Sequence, residues 1–299
     1  MNPPILVFGS SGQLAQELAR TATESAPVIL VGRDRCDLAA GGDPQPWIES
    51  LAPAFVVNAA AYTAVDRAES EPQAAYALNR DAPARIAHAC AARGTPFLHV
   101  STDYVFDGTE GAPYTEGHSR APLGVYGGSK AAGEDAVAQA GGRSAIVRVA
   151  WLYSAFGSNF PKTMLRLAQH REEISVVDDQ IGRPTSAALL AQTLRLLGPR
   201  LLGDNPVGHE LFHLAPRGQA SWADFAEAVF ARSAARGGPT ARVKHIATAD
   251  YPTAARRPAD SRLDPTKLET FLNTRFPDWR EPLDALVAEL VPSTERVGA

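Results

Sequence analysis

Cysteine is almost absent from the chain: Cys36 and Cys90 are the two thiols among 299 residues. Two cysteines can neither build a disulfide framework nor fill a four-ligand zinc site, so a reducing, cytoplasmic setting is expected. Charge of one sign is lacking too. Twenty-nine Lys and Arg stand against 33 Asp and Glu, a net charge of −4, and no basic run occurs. That argues against nucleic acid as a partner and leaves room for a local cationic pocket around a phosphorylated small molecule. Apolar runs never approach the ~20 residues that span a bilayer. The stretch Met1-Asn2-Pro3-Pro4 before Ile5-Leu6-Val7-Phe8 has neither the basic leader nor the apolar length of a signal peptide. No membrane partner is expected. The seven histidines show no metal-ligand spacing, and the expected metal set is none. What is present is 45% apolar residues beside 21% charged ones, enough for a substantial core and too apolar for a disordered chain.

Short apolar runs alternate with segments of helical period in the first half. Ile5–Phe8, Val28–Val31, Phe55–Asn58, Phe97–Ser101 and Ala145–Val149 read as strands. Between them, Leu14, Ala15, Leu18 and Ala19 share one helical face, Ala82–Ala92 is a strong helix, and Gly124–Ala140 ends in another. This order predicts an α/β fold, a Rossmann-like doubly wound parallel sheet covered on both faces. Past Val149 the regularity weakens. Helices are expected at Ala187–Leu197, Trp222–Ala235 and Pro282–Leu290, a strand at Leu211–Leu214 that returns to the main sheet, and a frayed tail over 292–299.

Gly9-Ser10-Ser11-Gly12-Gln13-Leu14-Ala15 follows the first strand and opens the first helix. Gly9 permits the tight turn, Gly12 lets the backbone approach a pyrophosphate, and Ala15 is small enough for helix–strand packing, while the helix N-terminus offers amide donors. The pattern predicts a dinucleotide-binding domain over 1–150 and a mainly substrate-binding region over 151–299, joined by the strand near 209–215. At the end of the second strand stands Gly32-Arg33-Asp34 rather than a lone acid. Arg33 suits a 2′-phosphate, which favours NADPH over NADH. Asp37, followed by Leu38, is placed to accept from an adenine amino group, or serves as a plain loop residue.

Tyr126 and Lys130 are four apart, so on a helix they share a face. A free phenol has a pKa of about 10, too high for efficient proton exchange at neutrality. A neighbouring ammonium is expected to draw that value down and to hold cofactor ribose hydroxyls. The phenol then protonates the oxygen formed when hydride reaches a ketone carbon. Ser101-Thr102-Asp103 closes the preceding strand, where the Thr102 hydroxyl can share the substrate oxygen; the same three residue types also favour a capped turn. The catalytic set is therefore Tyr126, Lys130 and Thr102.

These residues resemble the extended short-chain dehydrogenase/reductase superfamily, and within it the dTDP-4-dehydrorhamnose reductase family. The resemblance covers nearly the whole chain. It is carried by Gly9 to Leu14, Val57-Asn58-Ala59-Ala60-Ala61-Tyr62-Thr63-Ala64-Val65-Asp66, and Ser101-Thr102-Asp103-Tyr104-Val105-Phe106-Asp107-Gly108. Val125-Tyr126-Gly127 with Lys130, Trp151-Leu152-Tyr153, Asn159-Phe160 and Asp179-Gln180-Ile181-Gly182-Arg183-Pro184-Thr185 continue it, and Arg257-Pro258 with Ser261-Arg262-Leu263-Asp264 complete it. The glycine turn and the dyad belong to the superfamily; the other strings are more specific. The resemblance implies that Gly12-Gln13-Leu14, Asp37-Leu38 and Ala61-Tyr62-Thr63 line the cofactor cleft. It also implies that Thr102 and Asp103 contact a deoxysugar, that Trp151 packs on the substrate, that Asn159 and Gln180 belong to the substrate set, and that Tyr126 donates the proton. Arg257 joins them on charge chemistry, as a partner for the substrate's diphosphate. The expected reaction is reduction of the C4 ketone of dTDP-4-dehydro-6-deoxy-L-mannose to dTDP-L-rhamnose by a monomer or homodimer. Ala15 and Gly32-Arg33 depart from the pattern of some members, and no carboxylate cluster matches the magnesium site described for others.

Two rival readings come from the same resemblance. A nucleotide-sugar dehydratase needs an acid directly after Thr102-Asp103, where Tyr104 stands; epimerases usually lack an acid at the position of Asp103. A non-catalytic regulatory subunit, of the kind that serves a methionine adenosyltransferase, has no need of Tyr126, Lys130 and Thr102 together.

Overall fold

A computed structural model describes residues 2–202 and 208–292; most of the expected tail over 292–299 lies outside them. Six parallel strands form the central sheet: β1 (Ile5–Phe8), β2 (Val28–Val31), β3 (Phe55–Asn58), β4 (Phe97–Thr102), β5 (Ser144–Val149) and β6 (His209–His213), in the spatial order β2-β1-β3-β4-β5-β6. The inner strands are mainly apolar because both faces are covered, with polar side chains such as His99 and Arg148 held inside. In β1, Ile5 and Val7 enter one core while Leu6 and Phe8 enter the opposite one, the two-residue period of a strand read inside an unbroken apolar run.

Helices cover both faces. They are α1 (Gln13–Arg20), α2 (Ala82–Arg93), α3 (Val125–Gln139), α4 (Phe160–Ala168), α5 (Ala187–Arg200), α6 (Trp222–Ala234), α7 (Thr266–Leu272) and α8 (Arg280–Leu290). Leu18 of α1, Leu194 of α5 and Leu268 of α7 share a core with Val7 and Val57. Ile86 of α2 and Val137 of α3 join Leu6 and Val56 on the other side. Close packing fixes one contact in detail: a Cβ on Gly198 of α5 would lie 2.6 Å from the Phe55 ring.

Three elements from beyond residue 151 thus belong to the sheet side of the molecule: α5, β6 and α7. A separate core joins Met164 of α4, Phe225 of α6 and Leu283 of α8 to Ile174 and Val176. The latter two lie on Glu173–Val177, which pairs in parallel with Arg242–Ile246. Strand order reverses between β1 and β3, since β2 follows outward on one side and β4 on the other. Loops leaving the carboxyl ends there diverge and open a crevice, the usual ligand site of an open α/β sheet.

Because Phe212 of β6 is fully buried in the sheet core, Phe212→Ala is expected to lower the unfolding free energy by about 3–5 kcal/mol. Urea unfolding would read this; a loss under about 1 kcal/mol would detach β6 from that core.

Candidate active site

Gly9 ends β1 with φ of 111°, a conformation suited to glycine. A Cβ there would also lie 3.2 Å from Ala59 C and Ala60 N. Glycine therefore lets the β1 turn sit against the loop leaving β3. Gly12 then caps α1 in extended conformation, so the helix's first N–H groups face the crevice. Ala15, fully buried, packs where a larger side chain would push the helix off the sheet. Beyond the turn lies a compartment of about 470 Å³, lined by Gly9, Gly12 and Ala61 and by Arg33, Asp37 and Leu38. Arg33 is exposed at its rim. Asp37 Oδ1 accepts from the amides of Ala39 and Ala40 at 3.0 and 3.3 Å, so its carboxylate shapes the turn as well as the compartment.

A second compartment, about 660 Å³, runs from the glycine turn to the substrate half. Gln13, Leu14, Ala61 and Thr63 form one end, Thr102, Asp103, Tyr126 and Lys130 the middle, and Trp151, Trp222 and Arg257 the far end. Tyr126 and Lys130 reach it from the first two turns of α3, and Thr102 from the end of β4. Thr102 also caps the turn that follows. Its Oγ1 accepts from Tyr104 N at 3.2 Å and donates to Asp103 Oδ1 at 2.9 Å.

Three expected site residues sit differently. Tyr62 points its hydroxyl away, donating to Glu71 Oε2 at 2.6 Å, and only its neighbours Ala61 and Thr63 line the cleft. Asn159 caps α4, its Oδ1 accepting from Lys162 N, while its Nδ2 donates to Gln13 Oε1 at 2.9 Å. Gln180 lies beyond Trp222, accepting from the indole N–H at 3.2 Å and donating to Thr248 Oγ1 at 3.0 Å. Arg257 donates to Asp66 Oδ2 at 2.8 Å and to the Tyr104 hydroxyl at 3.2 Å. Trp151 has φ of 51° and stacks on Trp222 with ring centroids 3.6 Å apart. A Cβ on Gly182 would come within 2.5 Å of the same indole. Asp178 and Asp179 serve loop structure: the first accepts from Ser221 at 2.5 Å, the second from Thr248 at 2.6 Å.

Asn79 escaped notice in the sequence. It is fully buried in a π-helical turn, Ala77–Asp81, of the kind often found near functional sites. Its side chain accepts from Tyr62 N at 2.8 Å and donates to Tyr62 O and Ser129 Oγ, both at 3.0 Å. One amide thereby ties the cofactor-side loop to the residue before Lys130. Helix α3 fits there because it carries glycine at two contacts. A Cβ on Gly133 would overlap the Asn79 carbonyl oxygen, and one on Gly127 the Tyr104 carbonyl oxygen.

The electrostatics correct one expectation. Lys130 does not draw the phenol down: burial pushes Tyr126 up, opposed by a hydrogen bond from Thr102, and Asp103 and Tyr104 push it further up. Lys130 instead donates to Val100 O at 2.6 Å, its Nζ lying 3.5 Å from His99 Nε2. Burial lowers Lys130 to about 8, against the pull of Glu134. Asp103, also buried, rises to about 6; the Ser261 and Thr102 hydroxyls and nearby amides oppose that rise. Burial and the Lys130 charge keep His99 neutral. Among the described residues no group of three or more His, Cys, Asp and Glu gathers as a metal site, and no helix is long and apolar enough to cross a membrane.

A glycine turn at the strand-order switch, a buried Tyr–Lys pair beside Thr102, and an arginine at the far end of one cleft form the pattern of a nucleotide-sugar oxidoreductase. The family model described as the RmlD substrate binding domain matches residues 1–291. The chain belongs to the dTDP-4-dehydrorhamnose reductase family. Members similar to it include the dTDP-4-dehydrorhamnose reductase of Sinorhizobium fredii, 43% identical over 96% of this chain and 97% of the relative. That of Escherichia coli K12 is 39% identical over 97% and 99%. Among solved structures, the dTDP-4-dehydrorhamnose reductase of Bacillus anthracis in complex with NADP superposes with a TM-score of 0.87, at 33% identity, over 97% of this chain and 100% of that one.

The Asp103 carboxyl yields a pH prediction. Its folded pKa stands above the ordinary value, so its contribution to stability is full below about pH 4 and is lost as pH rises through about 6. Between those limits Asp103→Asn is expected to gain on the parent by on the order of 3 kcal/mol. Urea unfolding across pH would show the two curves diverging; parallel curves would mean the carboxyl is not perturbed.

Proposed function

We propose that the protein reduces the C4 ketone of dTDP-4-dehydro-6-deoxy-L-mannose to dTDP-L-rhamnose, using NADPH with NADH as the weaker donor. The observation that carries this reading is the convergence of Tyr126, Lys130 and Thr102 on the cleft that begins at the glycine turn. The residues fit a dinucleotide. Gly9 makes a cradle that a Cβ would fill, α1 presents free N–H groups, and Arg33 stands where a 2′-phosphate would be bound. When bound, the nicotinamide supplies the hydride. Tyr126, kept neutral by burial, donates its proton to the oxygen at C4, and Thr102 shares that oxygen. Lys130, charged below about pH 8, would hold ribose hydroxyls and steady the phenolate left behind.

At its far end the cleft meets a further groove of about 480 Å³ through two shared residues, Trp222 and Arg257. Phe160, Met164 and Gln180 line that groove. A sugar beside Tyr126 would place its diphosphate at Arg257 and its base in the groove, with Trp151 and Trp222 against the apolar face of the deoxysugar. Tyr104 is a phenol pushed up by burial and by Asp103. A leaving hydroxyl would find no carboxylic acid there, so dehydration is disfavoured. On this reading, residues 1–150 carry the dinucleotide and 151–299 mainly the substrate. Buried free thiols at Cys36 and Cys90 suit a reducing cytoplasm.

Purified protein mixed with NADPH and freshly generated dTDP-4-dehydro-L-rhamnose is expected to consume NADPH and form dTDP-L-rhamnose. Binding of NADPH without turnover would instead indicate a non-catalytic relative. Tyr126→Phe is expected to lower kcat by about 10²–10⁴-fold, and activity within a few-fold of the parent would remove the phenol from its role. Arg33→Ala is expected to raise KM for NADPH by about tenfold and leave KM for NADH nearly unchanged; equal effects on both would dissociate Arg33 from the 2′-phosphate.

A further inference from the structure

One turn beyond Lys130, α3 carries a second buried ionic cluster that the proposed reaction does not use. Glu134 is 4% exposed and Arg148, on β5, 2%. Glu134 Oε1 accepts from Ser101 Oγ at 2.5 Å and from Arg148 Nε at 2.8 Å. Oε2 accepts from Arg148 Nη2 at 2.6 Å and from Arg120 Nη1 at 3.2 Å. The remaining Arg148 nitrogen, Nη1, lies 3.3 Å from His213 Nε2. A buried pair of this kind is weak evidence of stabilisation, since apolar residues of similar volume often do as well. Its location is more telling. Ser101 precedes Thr102, Arg148 precedes cleft-lining Val149, and Glu134 lies one helical turn from Lys130.

We propose that Glu134 is a positioning residue for the reductive site: through Ser101 and Arg148 it fastens α3 to β4 and β5, and it sets a carboxylate one helical turn from the Lys130 ammonium. The groups bearing on that ammonium come from several elements. Tyr126 and Glu134 lie on its own helix, His99 on β4 and Asp103 just after it, Arg148 on β5, and Arg120 in the loop before α3. Tyr126 and His99 are uncharged at neutrality for the reasons given above. Asp103 is engaged by Thr102. Arg148 and Arg120 are both paired with Glu134. The carboxylate thus acts against burial.

The inference rests on Lys130 being the partner of Tyr126, so its test reads the lysine without substrate or turnover. The chain has four lysines, at positions 130, 162, 244 and 267. Carbon-13 labelling of lysine therefore gives a spectrum simple enough to assign Lys130 by comparison with Lys130→Arg. In the protein without cofactor, Lys130 is expected to titrate near 8. Glu134→Gln should move the midpoint down by about one unit or more, and Glu134→Asp should bring it back towards the parent. Arg120 is partly exposed, at 30% of its side chain; Arg120→Gln leaves the Glu134 carboxylate less neutralised and should move the midpoint up. With the same variants, NADPH binding by Glu134→Gln should weaken roughly tenfold near pH 8 and little near pH 6, because the lost charge matters where the amine discharges. A merely structural defect would weaken it equally at both. A folded Glu134→Gln protein whose Lys130 midpoint matches the parent would overturn the proposal. Should that variant not fold, an unmoved or lowered midpoint in Arg120→Gln would do the same. A failed turnover assay beside these shifts would overturn the reaction and leave the positioning role standing.

Discussion

Helix α3 approaches its neighbours so closely that no side chain fits at two of its contacts. At Gly127 the obstacle is the Tyr104 carbonyl and at Gly133 the Asn79 carbonyl. The arrangement of the proposed site follows from that approach. It brings Tyr126 over the end of β4, sinks Lys130 beside Val100, and lets one buried asparagine hold the helix to the cofactor-side loop. Glycine costs about 1 kcal/mol in a helix interior. A pair of them in the first three turns is a local sacrifice that the closer packing offsets.

Burial has a second effect. The titratable groups around the cleft sit out of water, where the neutral form is favoured for each: Asp103 and Tyr126 rise, Lys130 and His99 fall. In this state the phenol is a firm acid holder rather than a half-ionised one. On the proposed reading, its proton would become mobile only when negative charge develops on the oxygen of a bound ketone beside it.

Much of the fold was legible because buried parallel strands are mainly apolar, and five such runs stand between helical periods. Strand order was not, since pairing between β1 and β3 depends on contacts fifty residues apart, which no local period records. The substrate half was harder still. Its ladders Leu152–Tyr153 with Thr185–Ser186 and Ile181–Gly182 with Ala220–Ser221 are two residues long, too short to show alternation. In the site, the glycine turn and the Tyr–Lys spacing are local signals and could be read. Asn79 sits in an alanine-rich helical stretch with no motif around it, and Trp222 looks like any core indole. The direction of the Tyr126 shift was misjudged because spacing places Lys130 on the same face but says nothing of Val100, which takes its hydrogen bond.

The path of the chain after β5 has a mechanical consequence. It enters the second core through α4, returns to the sheet as α5 and β6, leaves again for α6, comes back as α7, and ends as α8 in the second core. Two bodies sewn together by so many crossings cannot swing about a single linker. A rigid-body swing of one body against the other would have to bend every one of these crossings at once.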